Sequence, residues 1–150
     1  MAEIVVLTMK NTFEAEFLAA DTDSPDPEQR ELKPVHAIYE LTPYGMMLAS
    51  LGACTAILLH SYARNHGVDL QEVEIRASYD RVFADDCEHC EEIGEYAEQI
   101  DAKVGFTGGL SDSERSKLFL ISKHCPIHKI LHEGIETVFR PLDGSTSEAR

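Results

Sequence analysis

Positively charged residues are scarce in this sequence. Its 150 residues include 13 Lys and Arg against 27 Asp and Glu, so the formal net charge is −14. An acidic surface repels phosphate backbones, and we therefore expect no nucleic acid partner. The hydrophobic content of 43% is nevertheless typical of a folded protein and argues against a disordered chain. We expect a single domain over residues 1–150, because this length suffices for one buried core.

Long apolar segments and a secretion leader are also missing. The longest apolar run, Met46–Leu59, covers fourteen positions, whereas a membrane-spanning helix needs about 20. The first residues lack the basic and apolar pattern of a signal peptide. We therefore expect no membrane partner and predict a cytoplasmic location. In that reducing compartment, the four cysteines are more consistent with thiols or metal ligands than with a disulfide framework.

Strand patterns surround one long helix in this chain. Two short helices are also predicted, one after a capping box at Ser111 and Glu114 and one after Cys125. The order βββ-α-ββ-αα-β predicts an α+β fold with mostly antiparallel strands. Residues 21–34 carry three prolines and are predicted as a loop. The predicted strands cover residues 3–10, 13–20, 36–41, 73–83, 100–108 and 135–142.

The long helix is predicted to run from Pro43 to His66. Thr42 supplies an N-cap oxygen, Pro43 suits the first helical position, and Gly67 can adopt the left-handed conformation that ends a helix. The middle of this helix is apolar on nearly every face. Such a helix must be surrounded, either by its own sheet or by a partner subunit.

Two cysteines stand at positions where a thiol has two possible roles. Cys54 lies inside the long helix, where cysteine usually packs as a small hydrophobe and burial makes it inert unless a cation is close. Cys125 precedes Pro126 and falls at a helix N-cap, where the helix dipole and free N–H groups favour a thiolate. The alternative at Cys125 is a purely structural cap between two helices.

The pair suggests redox chemistry if the two sulfur atoms meet. A disulfide across the 71 positions between Cys54 and Cys125 would stabilise the fold by about 4 kcal/mol on the chain-entropy estimate. A reducing cytoplasm keeps such a bond open, so its formation would be a redox event. One thiolate could attack an O–O bond, and the second thiol could resolve the resulting sulfenic acid.

The segments "TPYGMMLASLGACTAILLHSYARNHGVDLQEVEI" and "KHCPIHKIL" resemble the OsmC/Ohr family of osmotically inducible and organic-hydroperoxide-resistance proteins. The first segment is similar to the family's P-x-x-L-L-A-A-L-x-x-C helix with its Gly turn and following strand, and the second is similar to its C-P element. The resemblance extends from about residue 36 to the end of the chain. It implies an intertwined homodimer in which two sheets wrap long central helices.

The resemblance also implies a function. Family members reduce organic hydroperoxides with two cysteines, so Cys54 would be the peroxidatic thiol and Cys125 the resolving thiol. A hydrophobic hydroperoxide would be the substrate, a dithiol would be the reductant, and no cofactor would be required. The family's site also uses an upstream arginine, for which Arg30 is the candidate, and a first-turn glutamate whose position is occupied by Tyr44. The alternative, motivated by Tyr44, is a non-catalytic binding protein with the same fold, which could bind a metal through Cys87 and Cys90.

A second cysteine pair, Cys87 and Cys90, lies in the acidic stretch "DDCEHCEE" and is not part of the family pattern. The C-x-x-C spacing is common among zinc ligands, and His128 with His132, or a second subunit, could complete a four-ligand site. The pair could instead be a redox couple or part of a charged loop with no essential role. The sequence leaves these three interpretations open.

Overall fold

The computed structural model describes residues 3–20, 31–83 and 96–143, and within them the chain forms one antiparallel sheet and three α-helices. The strand order across the sheet is β3-β2-β1-β4-β5. The arrangement confirms the predicted α+β class and the antiparallel pairing. The elements are β1 (Glu3–Lys10), β2 (Ala15–Ala20), β3 (Leu32–Pro34), α1 (Pro43–His66), β4 (Leu70–Phe83), β5 (Tyr96–Gly108), α2 (Asp112–Ser122) and α3 (Pro126–Glu133).

Helix α1 begins and ends where its caps predict. The Thr42 side chain accepts a hydrogen bond of 3.1 Å from the N–H of Gly45, and Gly67 ends the helix with a φ of 64°. The first turn of α1 contains no acidic residue. A carboxylate nevertheless reaches this positive helix end, because Glu3 of β1 accepts a hydrogen bond from the Thr42 hydroxyl. This contact joins residues 39 positions apart, so no local pattern in the sequence predicts it.

The core lies between α1 and the sheet. At Gly52 the helix packs on β1, and an added Cβ would be in ordinary van der Waals contact, 3.5 Å from the Cβ of Leu7. The alternation predicted in β4 and β5 is confirmed, and Ile75 pairs with Val104 in the register of the two strands. Fully burying each large aliphatic side chain contributes about 2 kcal/mol. The largest buried side chains are Leu7, Leu48, Leu59, Val73, Ile75 and Leu118.

The prediction that α1 is surrounded holds on the side that faces the sheet. Ile57, on another side of the helix, is 47% exposed. By length and composition alone, α1 could also cross a membrane. A core helix meets the same criteria, and the packing of α1 against β1 and β4 identifies it as one.

Two predictions around residue 35 were wrong. Residues 36–41 do not form a strand but include a 3-10 helix at Ile38–Glu40, and the third strand is Leu32–Pro34, inside the segment predicted as a loop. The Glu40 carboxylate accepts the N–H of His36 at 2.7 Å and that of Ala37 at 3.3 Å, and this local bonding competes with strand pairing. Pro34 is tolerated because β3 lies at an edge of the sheet.

The predicted sixth strand was also wrong for a single chain. Residues 135–142 form no strand in the part of the chain that the structure describes. Phe139 is 89% exposed, and Ile135, Val138 and Leu142 are also exposed. The apolar character that predicts a strand is present, but a strand needs a neighbour to satisfy its backbone groups.

Candidate thiol site

Cys54 and Cys125 meet where α1 contacts α3. Both cysteines are free, and they are close enough for a hydrogen bond between their side chains. Cys125 is fully buried, with 0% of its surface exposed, whereas Cys54 is only partly buried. The structure therefore brings together the two thiols that the sequence could only pair by supposition.

The connection between α2 and α3 places Cys125 beside α1. Helix α2 ends at Ser122, whose hydroxyl donates to the carbonyl of Phe119 at 2.5 Å. The N–H of His124 then bonds the carbonyl of Ile121 at 2.9 Å, which tightens the turn. Cys125 follows as the N-cap of α3, and Pro126 takes the first helical position as predicted.

The N-terminus of α3 is directed toward Cys54. Pro126 has no N–H group, so Ile127 carries the first N–H of the helix. Hydrogen bonding from this N–H lowers the pKa of the Cys54 thiol, whereas the Cys125 side chain makes no capping hydrogen bond. The sequence predicted that this helix end acts on Cys125.

Opposing influences act on the Cys54 thiol. Burial is the largest of them and raises its pKa, because a charged thiolate is poorly solvated there. The N–H of Ile127 lowers the pKa, and the nearby Cys125 raises it through a hydrogen bond and through charge. The net effect is a pKa above the ordinary value of a cysteine. Within the described residues, no Arg, Lys or His side chain is among these leading causes.

The position of the missing glutamate does not adjoin the thiols within one chain. Tyr44 precedes Cys54 by ten residues on α1, which corresponds to about 15 Å along the helix axis. Its ring stacks on Tyr79 with centroids 4.6 Å apart. The Tyr79 hydroxyl in turn donates to Glu98 at 2.7 Å. Tyr44 is thus part of an aromatic contact between α1 and β4.

The remaining predicted site residues fall into two groups. Arg30, Cys87 and Cys90 lie outside the described residues, so the arginine and zinc-ligand hypotheses stay predictions. His128 and His132 stack on α3 with ring centroids 6.1 Å apart. Among residues 3–20, 31–83 and 96–143, no three His, Cys, Asp or Glu side chains are grouped so that they could hold a metal ion.

An open groove of about 510 Å³ lies between α1, β5 and the two short helices, and neither Cys54 nor Cys125 is among the residues that line it. Leu51 and Thr55, which line it, lie within one helical turn of Cys54, and Lys123 lies two residues before Cys125. Residues of β5 form another wall, and the described helices leave this face of the strand partly exposed. The other lining residues include Met47, Ile100, Ala102, Val104, Phe119, His128, Leu131 and His132.

Comparisons with known proteins agree with this fold. A family model described as OsmC-like protein matches residues 36–140. The structure is similar to that of an OsmC-like hydroperoxide resistance protein from Jannaschia sp. CCS1, with 16% sequence identity, a TM-score of 0.58, and coverage of 97% of this chain and 96% of that chain. A second similar structure is an organic hydroperoxide resistance protein OsmC from Legionella pneumophila, with 14% identity, a TM-score of 0.47, and coverage of 78% and 80% respectively. No curated protein matches the chain.

Proposed function

Because the chain belongs to the family of OsmC-like proteins, as its two cysteine motifs predicted, we propose that it is a thiol-dependent peroxidase that reduces organic hydroperoxides. The observation that carries the proposal is the contact between a partly exposed thiol and a buried one, Cys54 and Cys125. The similar protein from Jannaschia is named for hydroperoxide resistance, which supports the same class of substrate. We propose a cytoplasmic location, where a dithiol reductant is available.

The difference in exposure assigns the two thiols to different steps. Cys54 is the more accessible sulfur and is the one that receives an N–H group, so it attacks the peroxide. Cys125 is fully buried and lies against Cys54, so it is suited to reach a sulfur that is already oxidised. Cys54 is therefore the peroxidatic thiol in this proposal, and Cys125 is the resolving thiol.

The reaction proceeds in two steps before the reductant acts. The Cys54 thiolate attacks one oxygen of the hydroperoxide, an S–O bond forms, the O–O bond breaks, and the leaving alkoxide takes a proton to become an alcohol. The Cys125 thiol then attacks the sulfenic sulfur, so that an S–S bond forms and water leaves. A dithiol reductant supplies the two electrons and two protons that restore both thiols. No metal or organic cofactor is needed for these steps.

The groove favours a hydrophobic hydroperoxide as the substrate. Its volume of about 510 Å³ lies within the usual range for small-molecule sites. Leu51, Val104 and Leu131 contribute apolar surface, and they lie on three different elements. An apolar substrate placed there would have its reactive group close to the helical turn that carries Cys54.

We also propose that the working protein is a homodimer. The exposed apolar side chains of residues 135–142 and of Ile57 need a cover that the described part of the chain does not provide. A second copy of the chain would supply it by pairing with the unpaired backbone of 135–142, as the OsmC-like fold implies. Analytical ultracentrifugation of the full chain is expected to give twice the monomer mass, and a monomer at micromolar concentration would contradict this proposal.

The peroxidase proposal is tested by comparing serine variants of the two cysteines. Cys54→Ser is expected to abolish consumption of an aromatic alkyl hydroperoxide in a dithiol-coupled assay, because no nucleophilic sulfur remains at that position. Cys125→Ser is expected to stop after one turnover and to accumulate Cys54 sulfenic acid, detected by dimedone labelling and mass spectrometry. Equal rates for wild type and Cys54→Ser would reject the enzyme and leave the non-catalytic binding protein as the better interpretation.

A further inference from the structure

A second cleft, of about 400 Å³, lies at the N-terminal end of α1. It shares no lining residue with the groove described above, and neither thiol lines it. Its walls come from β1, β2 and β3, from the 3-10 turn at Ile38–Glu40 and from the first turn of α1. The volume is sufficient for a small organic molecule. This cleft is therefore a candidate binding site separate from the thiol pair.

A nearly buried carboxylate lines this cleft. Glu3, the first residue of β1, is only 6% exposed, and its Oε2 atom accepts a hydrogen bond from the Thr42 hydroxyl. Among the described residues, this is the one hydrogen bond of the Glu3 side chain. No side-chain oxygen in this part of the chain is both sealed from solvent and unbonded. The second carboxylate oxygen of Glu3 is therefore open to the cleft.

The charges around the cleft are not balanced. Glu40 also lines it, and the Oε2 atom of Glu40 accepts the N–H groups of His36 and Ala37, so that the other oxygen of Glu40 has no hydrogen-bond partner among the described residues. Lys33 is the one basic residue among the described lining residues, and it forms no ion pair with either carboxylate. Two carboxylates against one lysine give the cleft a net negative charge.

We propose that this cleft binds a small organic cation, an alkylguanidinium or alkylamine, whose charged group donates a hydrogen bond to the open oxygen of Glu3. Such groups carry hydrogen-bond donors and no acceptor, which suits a carboxylate oxygen that has no donor of its own. Burial of Glu3 strengthens the bond, because little water competes for it there. Glu40 adds attraction through its charge, and Val5 and Leu41 offer apolar surface to the alkyl part. The inference does not depend on the proposed peroxidase function.

Butylguanidinium is the probe for this site, and butylurea is a neutral probe of similar shape. Binding to the full chain is followed by chemical-shift changes in ¹H–¹⁵N spectra at low salt. Butylguanidinium is expected to give saturable shifts at the N–H groups of Thr42 and Gly45, whereas butylurea at the same concentration should not. Absence of binding in the full chain, which would include a cleft already filled by another part of the chain, would overturn the inference, as would equal binding of the two probes.

Three variants then test the role of charge. Glu3→Gln removes the charge but keeps an oxygen that can accept from the Thr42 hydroxyl, and it is expected to weaken butylguanidinium binding by about tenfold or more. The matched control is Glu16→Gln, at an exposed position of β2 outside the cleft, which should leave the affinity unchanged. Lys33→Gln removes a like charge without altering the Thr42 contact, so binding should tighten by about twofold. Equal affinity in wild type and Glu3→Gln, or weaker binding in Lys33→Gln, would overturn the inference.

Discussion

Helices α1 and α3 begin with the same sequence pattern, but their N-termini are capped differently. Each has a potential cap followed by proline at the first helical position, Thr42–Pro43 in α1 and Cys125–Pro126 in α3. In α1, the Thr42 hydroxyl caps the helix locally and also donates to Glu3. In α3, the Cys125 side chain makes no capping bond, and the N–H of Ile127 lowers the pKa of Cys54.

The difference separates a structural helix end from a reactive one. At α1, a hydroxyl and a carboxylate that is only 6% exposed satisfy the positive end, so no further anion is needed there. At α3, the same kind of positive end is offered to a sulfur that becomes an anion only when it loses its proton. The first arrangement stabilises the fold, and the second favours the form of Cys54 that can attack a peroxide.

The largest effect is expected at the structural end. Thr42→Ala removes the N-cap of α1 and leaves the buried Glu3 carboxylate without the hydroxyl that donates to it. The expected loss is about 2–3 kcal/mol in the free energy of unfolding, the sum of a lost cap and an unsatisfied buried acceptor. Urea unfolding followed by circular dichroism measures it.

Thr42→Ser is the matched control for this variant. Serine retains the hydroxyl and is as good an N-cap as threonine, so its stability is expected to stay within about 0.5 kcal/mol of wild type. A loss of less than 0.5 kcal/mol in Thr42→Ala would show that the Thr42 and Glu3 contact does not stabilise α1. The claim that the N-terminus of α1 has a stabilising structural role, in contrast to that of α3, would then be contradicted.

The caps of α1 and α2 could be predicted from sequence because they depend on residues close to each other in the chain. Thr42, Pro43 and Gly67 fix the ends of α1, and the capping box at Ser111 and Glu114 fixes the start of α2, where both of its hydrogen bonds are present. Local chemistry of this kind is independent of the rest of the fold. These boundaries were accordingly predicted to the residue.

The groups that distinguish the N-terminus of α1 from that of α3 could not be predicted from neighbouring residues. Glu3 reaches Thr42 only because β1 lies beside the start of α1, and the Ile127 N–H reaches Cys54 only because α3 packs on α1. Every residue except proline has a backbone N–H, so the amino-acid type at position 127 does not indicate a special role for its N–H. The sequence indicated Cys54 and Cys125 as a candidate thiol pair, but only the packing of α3 on α1 brings the two sulfur atoms together.

The incorrect strands have a related physical cause. The apolar residues of 135–142 indicate that the segment is buried against something but do not identify that neighbour, and the described part of the chain does not supply one. At 36–41, Glu40 bonds nearby backbone N–H groups and turns the chain before a strand can pair. Strand prediction therefore failed where pairing depended on distant partners or on a competing local bond.

The smallest effect concerns the influence of one thiol on the other. Cys125 raises the pKa of Cys54 through a hydrogen bond and through charge, so Cys125→Ala is expected to lower that pKa. Only the thiolate reacts with iodoacetamide, and its fraction at a fixed pH below the pKa grows as the pKa falls. Alkylation of Cys54 at pH 7.5 should therefore be faster in Cys125→Ala than in wild type, while the rates at Cys87 and Cys90 serve as an internal reference. A slower rate at Cys54 would mean that Cys125 assists the thiolate, and the helix end could then no longer be regarded as its main support.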